Sequence, residues 1–196
     1  MNGKRLWARN LGVPNNHYGH SSSLIIWGEK LFVQYDTNSS GRLLALNTTT
    51  GETVWDKQRE SKISWASPVL AEVNGKYEVI ITADPIVAGY DVESGDELWK
   101  VECMMGEVGP SVAFSDGLVF AANEYARLVA IDPKTASIVW ENDEYLPEAS
   151  SPLAYNGLLL VATSYGVLVC YDTKTGEQYW EDDLGTTLYS SPVTAD

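Results

Sequence analysis

The chain has 196 residues, of which 44% are apolar, 20% charged and 11% aromatic, the balance of a globular domain rather than a disordered one. Twenty-seven acidic residues against thirteen basic ones give a net charge of -14, which speaks against a nucleic acid or an anionic bilayer as partner. No apolar run approaches the ~18 residues of a membrane-spanning helix, and two cysteines, Cys103 and Cys170, make no disulfide framework.

In chain order, the opening residues MNGKRLWARNLGVPNN lack the apolar core of a signal peptide. Within them, residues 3–7 (GKRLW) are a partial copy of a motif that returns four times. The full copies are residues 44–55 (LALNTTTGETVW), 88–99 (AGYDVESGDELW), 129–140 (VAIDPKTASIVW) and 169–180 (VCYDTKTGEQYW). Trp55, Trp99, Trp140 and Trp180 are therefore spaced by 44, 41 and 40 residues, and a fixed period of this size marks a repeat architecture. A second marker keeps the same period out of phase: Ser22, Ser67, Ser111, Ser151 and Ser191.

Each repeat reads as four short strands. In the clearest copy they are residues 150–155, 158–163, 166–171 and 177–181. Asn74-Gly75, Asp116-Gly117 and Asn156-Gly157 are tight hairpin turns, since both central positions of such turns need positive φ. The last turn of each repeat carries Asp91, Asp132 or Asp172 to close it and Gly51, Gly95 or Gly176 to supply the left-handed residue. Asn47 and Ala136 depart from the pattern; asparagine can replace aspartate there, while alanine is expected to strain its turn. Ala45, Gly89, Ala130 and Cys170 hold a small position, so Cys170 reads as core. Cys103 lies in a connection and reads as a free surface thiol. With no amphipathic helix in the chain, four antiparallel strands per ~40 residues predict an all-β fold, a β-propeller of four complete blades plus two half-blades. The blades are expected at about 13–55, 56–99, 100–140 and 141–180, with partial strands in 1–12 and 181–196, all in one domain.

The pattern Ala-x-Asp-x-x-Thr-Gly-x-x-x-Trp resembles the tryptophan-docking motif of PQQ-like (quinoprotein-dehydrogenase-like, BamB-like) propellers. The resemblance implies that Trp7, Trp55, Trp99, Trp140 and Trp180 dock between blades. It also implies rings of about seven or eight blades, so the chain reads as a segment of a longer propeller, closed by further blades or by a second copy. The family contains PQQ-dependent alcohol and sugar dehydrogenases and non-enzymatic scaffolds such as the BamB lipoprotein. The enzymes hold PQQ between a tryptophan and a disulfide of adjacent cysteines, beside a calcium ion. This chain has no adjacent cysteines and no matching calcium set. The expectation is a non-catalytic, periplasmic or extracytoplasmic scaffold that binds a protein or small ligand, with no cofactor and no metal. The alternatives are a piece of a PQQ-dependent dehydrogenase and a carbohydrate binder.

Aligning the repeats places His20, Trp65, Gly109, Ala149 and Tyr189 just before each inner strand, at the expected rim of the central channel. Tyr18, Arg59, Glu107 and Tyr145 lie in the same connections. The candidate ligand or partner residues are thus His20, Trp65, Tyr189, Arg59, Tyr18 and Tyr145, aromatic and polar groups suited to a binding mouth. The alternative is that they merely pack blade on blade. Arg59 is expected to clamp an anionic group or to pair with Glu60 or Glu52. His17 and His20 share a His-x-x-His spacing, but in a connection rather than on a helix.

Overall fold

A computed structural model of the chain describes residues 3–195, and among these there is no helix. The first sheet comprises β1 (Ile25–Trp27), β2 (Lys30–Gln34), β3 (Gly41–Asn47) and β4 (Thr53–Arg59). The second comprises β5 (Val69–Val73), β6 (Lys76–Thr82), β7 (Ile86–Asp91) and β8 (Glu97–Glu102). The third comprises β9 (Ala113–Ser115), β10 (Leu118–Ala122), β11 (Leu128–Asp132) and β12 (Ser137–Asn142). The fourth comprises β13 (Leu153–Tyr155), β14 (Leu158–Ala162), β15 (Val167–Asp172) and β16 (Gln178–Asp183). Every sheet is an antiparallel meander in which each strand pairs with its neighbours in sequence, the blade of a β-propeller. The hairpin residues Asn74, Asp116 and Asn156 take φ of 53°, 54° and 51°, each followed by a glycine at positive φ.

Alternating side chains along each strand give every sheet two apolar faces, and the sheets bury them against one another in chain order. Phe32, Leu43 and Trp55 of the first meet Val79, Ile81 and Ala88 of the second. Val73, Ile80 and Trp99 of the second meet Val119, Val129 and Ile131 of the third. Phe120 and Leu128 of the third meet Leu159, Val169 and Tyr171 of the fourth. The remaining face of the first sheet, with Val33, Leu44 and Leu46, is covered by Trp7 and Leu11 of the N-terminal segment. The remaining face of the fourth is not covered: β16 is exposed along its length and Trp180 is 45% exposed.

The serine marker has a structural reason. Ser23 N–H donates to Ser67 Oγ at 2.9 Å, Ser67 N–H to Ser111 Oγ at 2.8 Å, Ser111 N–H to Ser151 Oγ at 2.9 Å, and Ser151 N–H to Ser191 Oγ at 2.9 Å. These bonds tie the entries of the inner strands from blade to blade. The innermost strand of the fourth sheet accordingly starts at Leu153, not at residue 150, because Ser150 and Ser151 bond outward to the neighbouring segment. In the first copy the donating place is held by Ser23, one residue after the serine the period picks out.

The seam tryptophans follow one geometry with one departure. Ala45, Gly89, Ala130 and Cys170 stand opposite Trp55, Trp99, Trp140 and Trp180, and each blade has a register shift just after that small residue. A Cβ added at Gly51 would come 2.5 Å from the Trp7 ring, at Gly95 2.6 Å from the Trp55 ring, and at Gly176 2.7 Å from the Trp140 ring. The three indoles donate Nε1–H to Thr48 O at 2.9 Å, Val92 O at 3.4 Å and Thr173 O at 2.9 Å, each three residues before that glycine. Trp99 differs. Its counterpart turn carries Ala136, held at φ 51°, so a methyl group stands where the other rings rest. The Trp99 indole instead lies over Gly89 of its own sheet and donates to Glu78 Oε2 at 2.7 Å.

Candidate functional site

Five connections meet at one end of the blades. Trp65 is fixed by its backbone N–H to Val108 O at 2.9 Å and by its indole Nε1–H to Gly19 O at 3.0 Å. Its ring packs edge-on to His17, with centroids 5.4 Å apart, and tilted against Tyr18 at 5.5 Å. His17 Nε2 lies 2.9 Å from Glu107 Oε1, which ties the N-terminal segment to the connection between the second and third sheets. Gly109 lets that connection meet the next one, since a Cβ there would come 2.8 Å from Glu148 O. The result is a cavity of about 250 Å³ lined by Tyr18, Trp65, Tyr125, Glu107, Glu124 and Glu148, with Gly109 and Ala149 between them. The Tyr125 phenol is pushed above its ordinary value, chiefly by Glu124, then by burial and by Glu148 and Glu107.

Of the residues expected at this mouth, the structure brings Trp65 and Tyr18 together, with Glu107, Gly109 and Ala149 from the same alignment. The other four lie elsewhere. His20 packs on Tyr35, with ring centroids 5.4 Å apart, and burial lowers its pKa against the pull of Asp36. Tyr145 packs into the seam between the third and fourth sheets, at φ 46°, and its phenol is pushed up to about 12 by its bond to Glu181. Tyr189 is 57% exposed and does not line the cavity. Arg59 is neither a clamp at the mouth nor a partner of Glu60 or Glu52. Its Nη1 bonds both carboxylate oxygens of Asp36, at 2.7 and 3.0 Å, in a buried pair. Gly41, across from Arg59 in the register, leaves the space that Asp36 and Ser61 enter. Burial raises the pKa of Asp36, and Arg59 opposes that shift.

Sequence alignment of the connections missed Tyr125 and Glu124, which come from the loop between β10 and β11, and Glu148; His17 stood out only for its His-x-x-His spacing. The signal was available: that loop and the blade-to-blade connections leave strands at the same end of a meander. The turn acids sit at the opposite end of the blades and are occupied by their own backbone. Asn47 Oδ1 accepts the N–H groups of Thr49 and Thr50, Asp91 Oδ1 those of Glu93 and Ser94, Asp172 Oδ1 those of Lys174 and Thr175, and Asp132 Oδ1 that of Lys134. The Tyr179 hydroxyl, with these backbone donors, holds Asp172 down to about 2.

Cys103 is free, as expected, but half-buried rather than on the surface. It packs against the core of the second seam, and burial pushes it up to about 12. Cys170 is fully buried in β15. The two free thiols, one in the connection after β8 and one in β15, do not form the adjacent-cysteine disulfide that the resemblance implies for a quinone site. Among the described residues no group of three or more His, Cys, Asp or Glu side chains is arranged to hold a metal ion. The mouth offers aromatic faces and carboxylates.

Comparison with known proteins adds context to this geometry. Residues 83–186 match the family model described as outer membrane protein assembly factor BamB. The quinoprotein alcohol dehydrogenase PedE of Pseudomonas putida is 38% identical over 108 residues, 55% of this chain and 16% of that protein. The crystal structure of BamB from Moraxella catarrhalis superposes with a TM-score of 0.74 at 19% identity, over 94% of this chain and 56% of that one. The quinohemoprotein alcohol dehydrogenase of Comamonas testosteroni gives 0.64 at 14% identity, over 84% of this chain and 40% of that one. The chain thus spans little more than half of the BamB structure and smaller shares of the dehydrogenases.

Proposed function

The chain belongs to the family of the outer membrane protein assembly factor BamB, and from that membership we propose that it is a non-catalytic, extracytoplasmic propeller segment that binds a partner through the loops at the channel mouth. The observation that carries this reading is the convergence of Tyr18, Trp65 and Tyr125, from three separate connections, on one solvent-open cavity. Aromatic side chains with a polar end are the common anchors of binding surfaces, and loops held by a rigid sheet scaffold are where such anchors are placed. The tryptophans Trp7, Trp55 and Trp140 and the glycines beneath them then serve as the scaffold's fasteners, and Trp180 offers the same fastener to a further blade or to a second copy.

A genetically encoded photocrosslinker at position 65 tests the reading in intact cell envelopes. The expected result is a discrete protein adduct at position 65 and none at position 134, in a turn at the far end of the blades. Equal adducts at both positions, or none at either, contradict it. The 38% identity to PedE favours a second reading, part of an alcohol dehydrogenase. That reading requires dye reduction on adding an alcohol, PQQ and calcium; the binding-module reading predicts no activity.

A further inference from the structure

We infer that the mouth cavity is a receptor for an organic cation, an ammonium or guanidinium head on an alkyl stem. This inference rests on the binding-module reading and names the chemistry of its ligand. Tyr18, Trp65 and Tyr125 present aromatic surface to the cavity, and Tyr18 and Tyr125 are 73% and 61% exposed. Aromatic faces carry the negative part of the ring quadrupole and attract a cation that has shed some of its water. The Trp65 indole N–H is already committed to Gly19 O, so the ring keeps its orientation without a ligand. Three carboxylates, Glu107, Glu124 and Glu148, share the lining, and no lysine or arginine does.

The nearby cations are used elsewhere. Arg127 pairs with Glu141 at 2.6 Å, Lys62 with Asp84 at 3.1 Å and Arg59 with Asp36 at 2.7 Å. His17 approaches the mouth, against Glu107. The cavity thus has acceptors and ring faces with no cation of its own, and the net charge of -14 draws cations toward it from a distance. A neutral sugar would find stacking surface here, but it would leave Glu124 and Glu148 without a counter-charge. An anionic ligand would be repelled. The cation has two possible sources, the side chain of a basic residue on a partner protein or a free alkylammonium molecule.

The test is a titration of the chain followed by the Trp65 indole N–H resonance, with three probes: acetyl-arginine amide, its neutral isostere acetyl-citrulline amide, and tetramethylammonium chloride. The inference predicts that the arginine probe moves the Trp65 resonance and binds at least about tenfold tighter than citrulline. Glu107→Gln with Glu148→Gln should weaken it by about tenfold, and Trp65→Leu by about three- to tenfold. The Trp99 resonance, buried in a seam, reports that each variant is folded. Tighter binding of arginine than of tetramethylammonium assigns the site to a basic side chain, and the reverse assigns it to a free quaternary ammonium. Equal binding of arginine and citrulline, or no movement of Trp65 with any probe, overturns the inference. A specific photocrosslink at position 65 would then still support binding at the mouth, so the two readings fail separately.

Discussion

The second and third seams of the propeller use the same parts in two arrangements. At the third, Trp140 reaches across to the fourth sheet, lies on Gly176 and bonds Thr173 O. At the second, Trp99 stays over its own sheet, lies on Gly89 and bonds the Glu78 carboxyl. Two positions distinguish them. Ala136 blocks the place that Gly176 leaves open, and Gly89 opens the place that Ala130 fills. The exchange also replaces a backbone carbonyl acceptor with an ionisable side chain that is 6% exposed. A tryptophan in this repeat is therefore placed by where a Cβ is missing, and its hydrogen bond follows from that place.

The largest expected effect is at the buried rings. Trp55→Ala should lower unfolding free energy by about 3–5 kcal/mol, because it empties a filled seam. Trp180→Ala should stay within about 0.5 kcal/mol, since its ring is half exposed and rests on no following turn among the described residues. Denaturant unfolding of the two variants measures the contrast. Next comes Gly176→Ala, which places a methyl 2.7 Å from the Trp140 ring at φ 72° and should cost about 2 kcal/mol. The same experiment in reverse, Ala136→Gly, relieves an alanine held at φ 51° and should stabilise by under about 1 kcal/mol.

Between these lies a pH effect confined to the second seam. Burial raises the pKa of Glu78, and the Trp99 hydrogen bond opposes that shift without cancelling it. The folded state then holds this proton more tightly than the unfolded chain does. As pH rises from the ordinary glutamate value of 4.5 through the raised folded value, Glu78 makes the chain less stable. Glu78→Gln keeps an acceptor for Trp99 and removes the proton. Thermal unfolding should show the variant gaining on the parent chain as pH increases across that window and levelling off above it. A constant difference at all pH values would mean that Glu78 is solvated.

The repeat, the strand count per blade and the hairpin turns were legible because period and turn chemistry are local. Asn-Gly and Asp-Gly pairs fix φ wherever they occur. The unusual seat of Trp99 was half legible: Ala136 stood out as a departure, but its consequence depended on Gly89 and Glu78, which lie on other strands. The Arg59–Asp36 pair was hidden for the same reason, since 23 residues separate partners that only sheet register brings together. At the mouth, Trp65 and Tyr18 could be found by aligning the connections. Tyr125 and Glu124 lay outside that alignment, because they enter from a loop inside a blade.

The most direct measurement follows the four indole N–H resonances of Trp7, Trp55, Trp99 and Trp140 in a pH titration of the folded chain. The three bonded to backbone carbonyls should hold still, while Trp99, bonded to the Glu78 carboxyl, should shift with a midpoint above 4.5. Four indoles that all stay fixed, or a Trp99 that behaves like Trp140, would contradict the claim that a missing Cβ decides where each tryptophan rests.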